Sequence, residues 1–464
     1  MPSSRKAAFK AFLNAFPEYK TTGVLDKLRK KEYARLDKEG HVYLDYTGGN
    51  LYAESQLEQH FKLLRKHTFG NPHSTNPSSQ FATRLVEETR AYVLKYFNAG
   101  DDYYCIFTAN ASASLKIVGE SYPFGEDSFL LLSLDNHNSV NGIREFARNK
   151  GGEFAYVPLD ESSLHLQAPA LKQELEGHAD KTHKLFAFPA QSNVSGIKHP
   201  LRYIEEAHQN GWDVLLDSAA FVPSNTLDLQ QLKPDFATVS FYKIFGYPTG
   251  LGCLLMRKEK LQKLVKPWFA GGTVSLTSVN FPGHFLLTNH ERFEEGTVNY
   301  LDIPAIKIGL EHIEKIGIPV IQTRVRCLTG WLIGALSSLQ HANGNPVLHV
   351  YGATDLNERG GTLVMTFLDE NSHIIPFKDI EAESNKRKIS LRTGCFCNPG
   401  IDETNYHVGE AELEGYYRSH EEGNFFDMMA VTGKLRGAIR ISVGLASNFA
   451  DVYTFYEFAK SFQK

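Results

Sequence analysis

The chain has 464 residues, too many for one small core and enough for about two or three domains. Its hydrophobic share of 42% and charged share of 22% are ordinary for a globular protein, and its net charge of −4 offers no basic footprint for nucleic acid. Five cysteines, an odd and sparse set, argue against a disulfide framework and for a reducing compartment, and no apolar run nears the roughly 20 residues that span a bilayer.

The opening stretch, residues 1–10, lacks the apolar core of a secretory signal. It is basic and mildly amphipathic and reads as a surface helix, with a transit peptide as the alternative; the expected location is cytoplasmic. From about 100 to 256, short apolar runs at 104–107, 129–132, 154–157, 185–188, 214–216, 236–239 and 253–256 alternate with helix-like pieces such as 138–150 and 201–211. Strand–helix alternation of this kind predicts an α/β fold with a mostly parallel seven-stranded sheet covered by helices on both faces. Ligands in such sheets sit beyond the strand C-termini, and Asn193, Asp217 and Lys243 all fall near strand ends.

A helix-like stretch begins at Asp302-Ile-Pro304, runs to Ile316 and is broken by Gly317-Ile-Pro319; a second continues through Leu339. Beyond it, 347–351, 361–367 and 438–443 read as strands of a smaller α+β domain. The expected division is an N-terminal segment, 1–40, packing with the small domain, a large domain over 41–310, and a small C-terminal domain over 311–464 that carries two cysteines in a turn.

Five places carry chemistry. Thr108-Ala-Asn-Ala-Ser-Ala-Ser114 follows a strand and opens a helix. Small residues there let the backbone approach an anion, helix N–H groups point at it, and Ser112 adds a hydroxyl. A plain N-cap has the same appearance. His137 follows the run 129–132, where an imidazole could stack on a ring and move protons; a surface histidine is the alternative. Asp217 ends Val214-Leu-Leu-Asp, and an anion beside a pyridine nitrogen favours the protonated ring, although a capping or surface acid would look alike.

Lys243 lies in Ser240-Phe-Tyr-Lys-Ile-Phe-Gly-Tyr-Pro-Thr-Gly250, between an apolar strand and a Gly/Pro turn, where desolvation would lower its pKa. A strand-end acid followed by such a lysine suits a pyridoxal phosphate (PLP) enzyme, the lysine forming the imine and the acid holding the pyridinium proton. Last, Arg392-Thr-Gly-Cys-Phe-Cys-Asn-Pro-Gly400 places Cys395 and Cys397 in a turn. They could ligate metal, although no second pair exists and no metal site is expected. They could form a strained redox pair, or one could be a nucleophile lowered in pKa by Arg392 or Lys388. In a PLP enzyme such a thiolate could take the sulfur of bound cysteine and leave alanine.

With those residues in place, the sequence resembles the class V aminotransferase superfamily of fold-type-I PLP enzymes, and within it the N-terminal cysteine desulfurase domain of molybdenum cofactor sulfurases. The resemblance runs from about Tyr43 to Asn448 and rests on Tyr43-Leu-Asp-Tyr-Thr-Gly48, Phe69-Gly-Asn-Pro-His-Ser74, the stretch from Ser240 to Gly252, Phe293-Glu-Glu-Gly-Thr297 and the cysteine turn. It implies that Lys243 carries PLP, Asp217 pairs with the pyridine nitrogen, His137 stacks on the ring and Asn193 bonds the ring hydroxyl oxygen. Ala111, through its N–H, with Ser112 and Ser240 would hold the phosphate. Thr273 would reach that phosphate from a second subunit, which implies a homodimer. Arg440 would clamp the substrate carboxylate, and Arg392 is also assigned to the substrate site. Cys397 matches the sulfur-accepting cysteine, with Cys395 supporting it. Ala220, Tyr242 and Ala111 depart from the Gln, His and Thr that many desulfurases carry at those places.

The expected activity is a PLP-dependent L-cysteine desulfurase that forms an enzyme persulfide and L-alanine. Its expected sulfur acceptor is molybdenum cofactor or a sulfur-carrier protein. Another class V PLP reaction (aminotransferase, selenocysteine lyase or C–S lyase) and a non-catalytic sulfur-trafficking protein are the alternatives.

Overall fold

The computed structural model describes residues 4–464. Met1, Pro2 and Ser3, part of the opening stretch discussed above, lie outside the described residues. All seven predicted runs are strands: β1 (Tyr103–Thr108), β2 (Ser128–Ser133), β3 (Glu153–Val157), β4 (His183–Pro189), β5 (Asp213–Asp217), β6 (Phe236–Ser240) and β7 (Gly252–Arg257). They form one sheet in the order β1-β7-β6-β5-β4-β2-β3, in which β7 alone runs against its neighbours.

Both faces of this sheet are covered. Along β2, Phe129 and Leu131 join one buried cluster while Leu130 and Leu132 join another; along β4, Phe186 and Phe188 separate in the same way from Leu185 and Ala187. Alternate side chains point to opposite faces of a strand, so each cluster is one side of the sheet packed under its helices. This explains why the runs are continuously apolar rather than alternating.

The helical reading of 302–339 holds in detail. Helix Ile303–Ile316 starts with Pro304 in its first turn, Gly317 ends it at φ +88°, and Ile318–Ser337 restarts with Pro319 in its own first turn. The piece at 138–150 is instead two short helices, Asn138–Asn141 and Ile143–Asn149, parted by Gly142.

A second, antiparallel sheet has four strands: β8 (Leu348–Val350), β9 (Thr362–Phe367), β10 (Arg392–Gly394) and β11 (Ala438–Ser442), in the order β8-β9-β11-β10. β10 has no apolar run to announce it; its pairing with β11 creates it, and this places Arg392 directly opposite Arg440. Beside it, Val42–Tyr43 pairs in parallel with Ile389–Ser390.

The N-terminal helix Arg5–Ala15 is not a free surface helix. It buries Ala8 and Phe12, and the Phe12 ring stacks on Phe449 with centroids 4.8 Å apart. Arg29 pairs with Asp451, and Arg324 donates to the Thr22 carbonyl at 2.7 Å and to Asp26 at 2.9 Å. No helix among the described residues is long and apolar enough to cross a membrane.

Candidate active site

The C-terminal ends of β1, β4, β5 and β6, with the loop after β2, converge on one cavity of about 180 Å³. Its wall includes Ala111, Ser112, His137, Asn193, Asp217, Ser240 and Lys243. Seven of the residues singled out in the sequence therefore share one wall, although more than a hundred residues separate the first from the last.

One end is an anion cradle. Helix Ala111–Ser121 opens here, capped by Asn110, whose side chain accepts from Ala113 N at 3.0 Å. Ala111 N donates to Ser240 Oγ at 2.9 Å, and the Ser112 and Ser139 hydroxyls meet at 2.6 Å. Helix N–H groups with three clustered hydroxyls favour an anion of phosphate size.

At the other end Asp217 is oriented by Ala219 N at 3.0 Å and Thr238 Oγ1 at 3.3 Å, both donating to Oδ1. Lys243 stands near it. Burial holds the Lys243 ammonium below the usual lysine range; Asp217 opposes that shift, and Arg440 and Arg392 reinforce it. Burial also lowers the pKa of His137. Its Nδ1 accepts from Ser139 N at 3.1 Å, so the neutral ring carries its proton on Nε2. The cavity thus presents an amine biased toward its neutral form, a carboxylate and a neutral imidazole.

Arg440, Arg392, Thr273 and the two cysteines stand outside that wall; Arg440 bears on it through Asn193, and the cysteine turn through Asn193 and Asn138. Arg440 Nη1 donates to the Asn193 carbonyl at 2.9 Å. Asn193 Nδ2 donates to the Phe396 carbonyl, and its Oδ1 accepts from Asn398 Nδ2, each at 3.0 Å. The Asn193 amide, assigned by resemblance to a ring oxygen, thus also fastens the cysteine turn, with a second Nδ2–H still available. Cys397 O accepts from Asn138 N at 2.7 Å, one residue beyond His137. Phe396 and Cys397 are held at φ +58° and +54°, a left-handed pair that only the surrounding bonds maintain.

Cys395 and Cys397 are free thiols, the first half-buried and the second exposed. Burial raises the Cys395 pKa. The two cations considered for activating a cysteine are committed elsewhere, which corrects that expectation: Arg392 binds Asp45 and Lys388 Nζ donates to the Glu39 carbonyl at 3.0 Å. Thr273 is buried in its own turn, where its hydroxyl exchanges hydrogen bonds with the N–H and carbonyl of Ala270 at 2.9 Å. Within one chain it does not reach the cavity.

Asn398 and Asp45 were not singled out by sequence reasoning. Asn398 Nδ2 also donates to the Asp135 carbonyl at 2.6 Å and so pins the cysteine turn to the β2 loop. Gly400 follows in the same seam, where a Cβ would lie 1.9 Å from the Leu134 carbonyl oxygen. Gly400→Ala is expected to destabilise the protein by about 1–3 kcal/mol through overpacking, read as a lower urea midpoint at unchanged slope.

The comparisons with known proteins agree with this geometry. Residues 42–455 match the family model described as Aminotransferase class-V. The chain belongs to the class V aminotransferase family. It is 34% identical to the molybdenum cofactor sulfurase of Arabidopsis thaliana, over 97% of this chain and 60% of that protein, and 35% identical to that of Homo sapiens, over 94% and 51%. The match is to the N-terminal part of those proteins, and the chain spans about half to three-fifths of their length. Among solved structures it resembles a cysteine desulfurase from Thermococcus onnurineus (TM-score 0.76, 23% identity, 94% of this chain and 97% of that one) and the cysteine desulfurase CsdA of Escherichia coli (TM-score 0.73, 21% identity, 94% and 98%). The fold is that of PLP fold type I, and the family typically uses PLP.

Proposed function

We propose that this class V protein is a PLP-dependent L-cysteine desulfurase that stores sulfur as a persulfide on Cys397 and releases L-alanine. The observation that carries the reading is the fastening of the cysteine turn to the cavity wall, through Asn193 to Phe396 and Asn138 to Cys397.

The cavity residues fit PLP. The helix N-terminus with Ser112 and Ser240 suits the phosphate, Asp217 the ring nitrogen, the His137 face the ring, and Lys243 the aldehyde. When bound, the cofactor supplies an electron sink for the bonds at the substrate α-carbon. Lys243, biased toward its neutral form, accepts the α-proton. Arg440 orients the substrate through its carboxylate. The Cys397 thiolate then attacks the substrate sulfur: the sulfur–sulfur bond forms as the Cβ–sulfur bond breaks, the electron pair left on Cβ takes a proton, and Lys243 returns the α-proton to give alanine.

The sulfur acceptor is proposed as molybdenum cofactor or a sulfur-carrier protein, in keeping with the names of the sulfurase relatives. The test mixes PLP-loaded protein with L-cysteine, assays alanine and weighs the intact protein. Alanine with sulfur held on Cys397 is expected. Neither alanine nor added mass, with PLP bound, would replace this reading by another class V reaction.

The active form is proposed to be a homodimer. The hairpin of Val274–Thr277 and His284–Leu286, next to Thr273, exposes Leu276, Val279, Phe281 and Phe285 together, Val279 at 99%. Such a patch suits a protein–protein contact. Sedimentation equilibrium should show a dimer that Phe281→Asp dissociates; a monomeric wild type would refute it.

A further inference from the structure

Arg392 and Arg440 are directly opposed residues of β10 and β11. Like charges in that relation repel, and here the strands close with an acid between them. Asp45 Oδ1 accepts from Arg440 Nη2 at 2.8 Å, while its Oδ2 accepts from Arg392 Nη2 at 2.7 Å and Nε at 3.1 Å. The acid is rigidly presented. Its flanks are tied by Leu44 N to Ser390 O at 2.9 Å and Ser442 N to Leu44 O at 2.7 Å, and its carbonyl accepts from Gly48 N at 3.0 Å. Gly48 makes the room, because a Cβ there would stand 2.3 Å from Asp45 Oδ2 and 2.5 Å from Arg392 Nη2.

The bridge leaves binding capacity. A guanidinium has five N–H groups, and Arg440 spends one on Asp45 and one on Asn193. Its Nε is buried without a partner among the described residues. The unpartnered donor and the two cations with one anion leave donor capacity for one further carboxylate and one unit of net positive charge to meet it.

We propose that Asp45 sets this substrate site at one net positive charge and so selects amino acids with a single carboxylate over those bearing a second anionic group. The inference rests on the reading of Arg440 as the residue that binds substrate carboxylate. With Asp45 in place, a second anionic group meets a fixed negative charge; with Asp45→Asn, the same pair of arginines offers two positive charges and keeps an amide oxygen for only one of them.

The test titrates PLP-loaded protein calorimetrically with 3-mercaptopropionate, which has one carboxylate, and mercaptosuccinate, which has two. Neither has an amine, so binding is read without turnover. Asp45→Asn is expected to shift the ratio of the two Kd values toward mercaptosuccinate by about tenfold or more, the size that reversing a fixed like-charge contact allows. Asp45→Glu should hold the wild-type ratio. Arg392→Gln, on the exposed arm of the bridge, tests the same balance if Asp45→Asn does not fold and should shift the ratio the opposite way. A merely structural Asp45 would weaken both ligands in proportion, and an unchanged ratio beside normal wild-type binding overturns this inference alone. Wild-type protein that binds neither acid overturns the carboxylate reading of Arg440 and this inference with it.

Discussion

Replacing Lys243 with alanine is expected to lower alanine release from L-cysteine by about 10²–10⁴-fold or more, the range that a positioned proton-transfer group supplies. Lys243 is the amine on a wall that it shares with Asp217 and His137, and Arg440 and Arg392 stand outside it as permanent cations that accept no proton. The pH dependence gives a second reading of the same residue. Burial depresses the Lys243 pKa, so the neutral amine is present at lower pH than for a lysine in water, whose pKa is about 10.4. The rate should fall as pH falls through that depressed value and hold above it, with a midpoint below the ordinary lysine range. The His137 pKa is also lowered, so its ring stays neutral to lower pH. Measured release by Lys243→Ala at the wild-type rate, or a limb at an unperturbed lysine value, would remove Lys243 from the proton-transfer role.

Six of the seven strands were legible because they are largely buried on both faces and so carry near-continuous apolar runs, whereas the edge strand β3, which exposes Glu153 and Phe154, was legible from its apolar and aromatic run alone. Asp217 and Lys243 were legible for a related reason: Asp217 closes such a run and Lys243 follows another within one helical turn, so both sit at strand ends, which is where these sheets bind ligands. Strand β10 was not legible. It has three residues, one of them the charged Arg392 and another Gly394, and only its partner Ala438–Ser442, far along the chain, makes it a strand.

Asp45 was hidden by the same non-locality. It lies within a motif noticed in the sequence, yet its meaning depends on two arginines about 350 and 400 residues away. The cysteine turn shows a third case. Its residue types suggested a cation-activated thiol, but Arg392 is taken by Asp45 and Lys388 by a carbonyl, and what positions the turn is the amides of Asn193 and Asn398. Backbone-directed amide contacts leave no charge pattern to read.

Cys397→Ala is expected to end persulfide formation while Cys395→Ala retains it. The two thiols are two residues apart, so a difference between them must come from environment. Cys395 is half-buried, and burial raises its pKa, which lowers the thiolate fraction at neutral pH. Cys397 is exposed at the apex of a left-handed pair of residues, with its carbonyl fixed to Asn138 N and its neighbour Phe396 fixed to Asn193. An exposed thiol on a fastened backbone can accept sulfur near the cavity and then pass it outward; a half-buried one meets the second requirement poorly. Intact mass after one turnover with L-cysteine separates the two variants, since added sulfur should appear on Cys395→Ala and be absent from Cys397→Ala. The reverse pattern would transfer the accepting role to Cys395. Undiminished sulfur on both variants would mean that neither cysteine alone is the acceptor, and the turn would then be a structural clamp on Asn193 and not the place where sulfur is held.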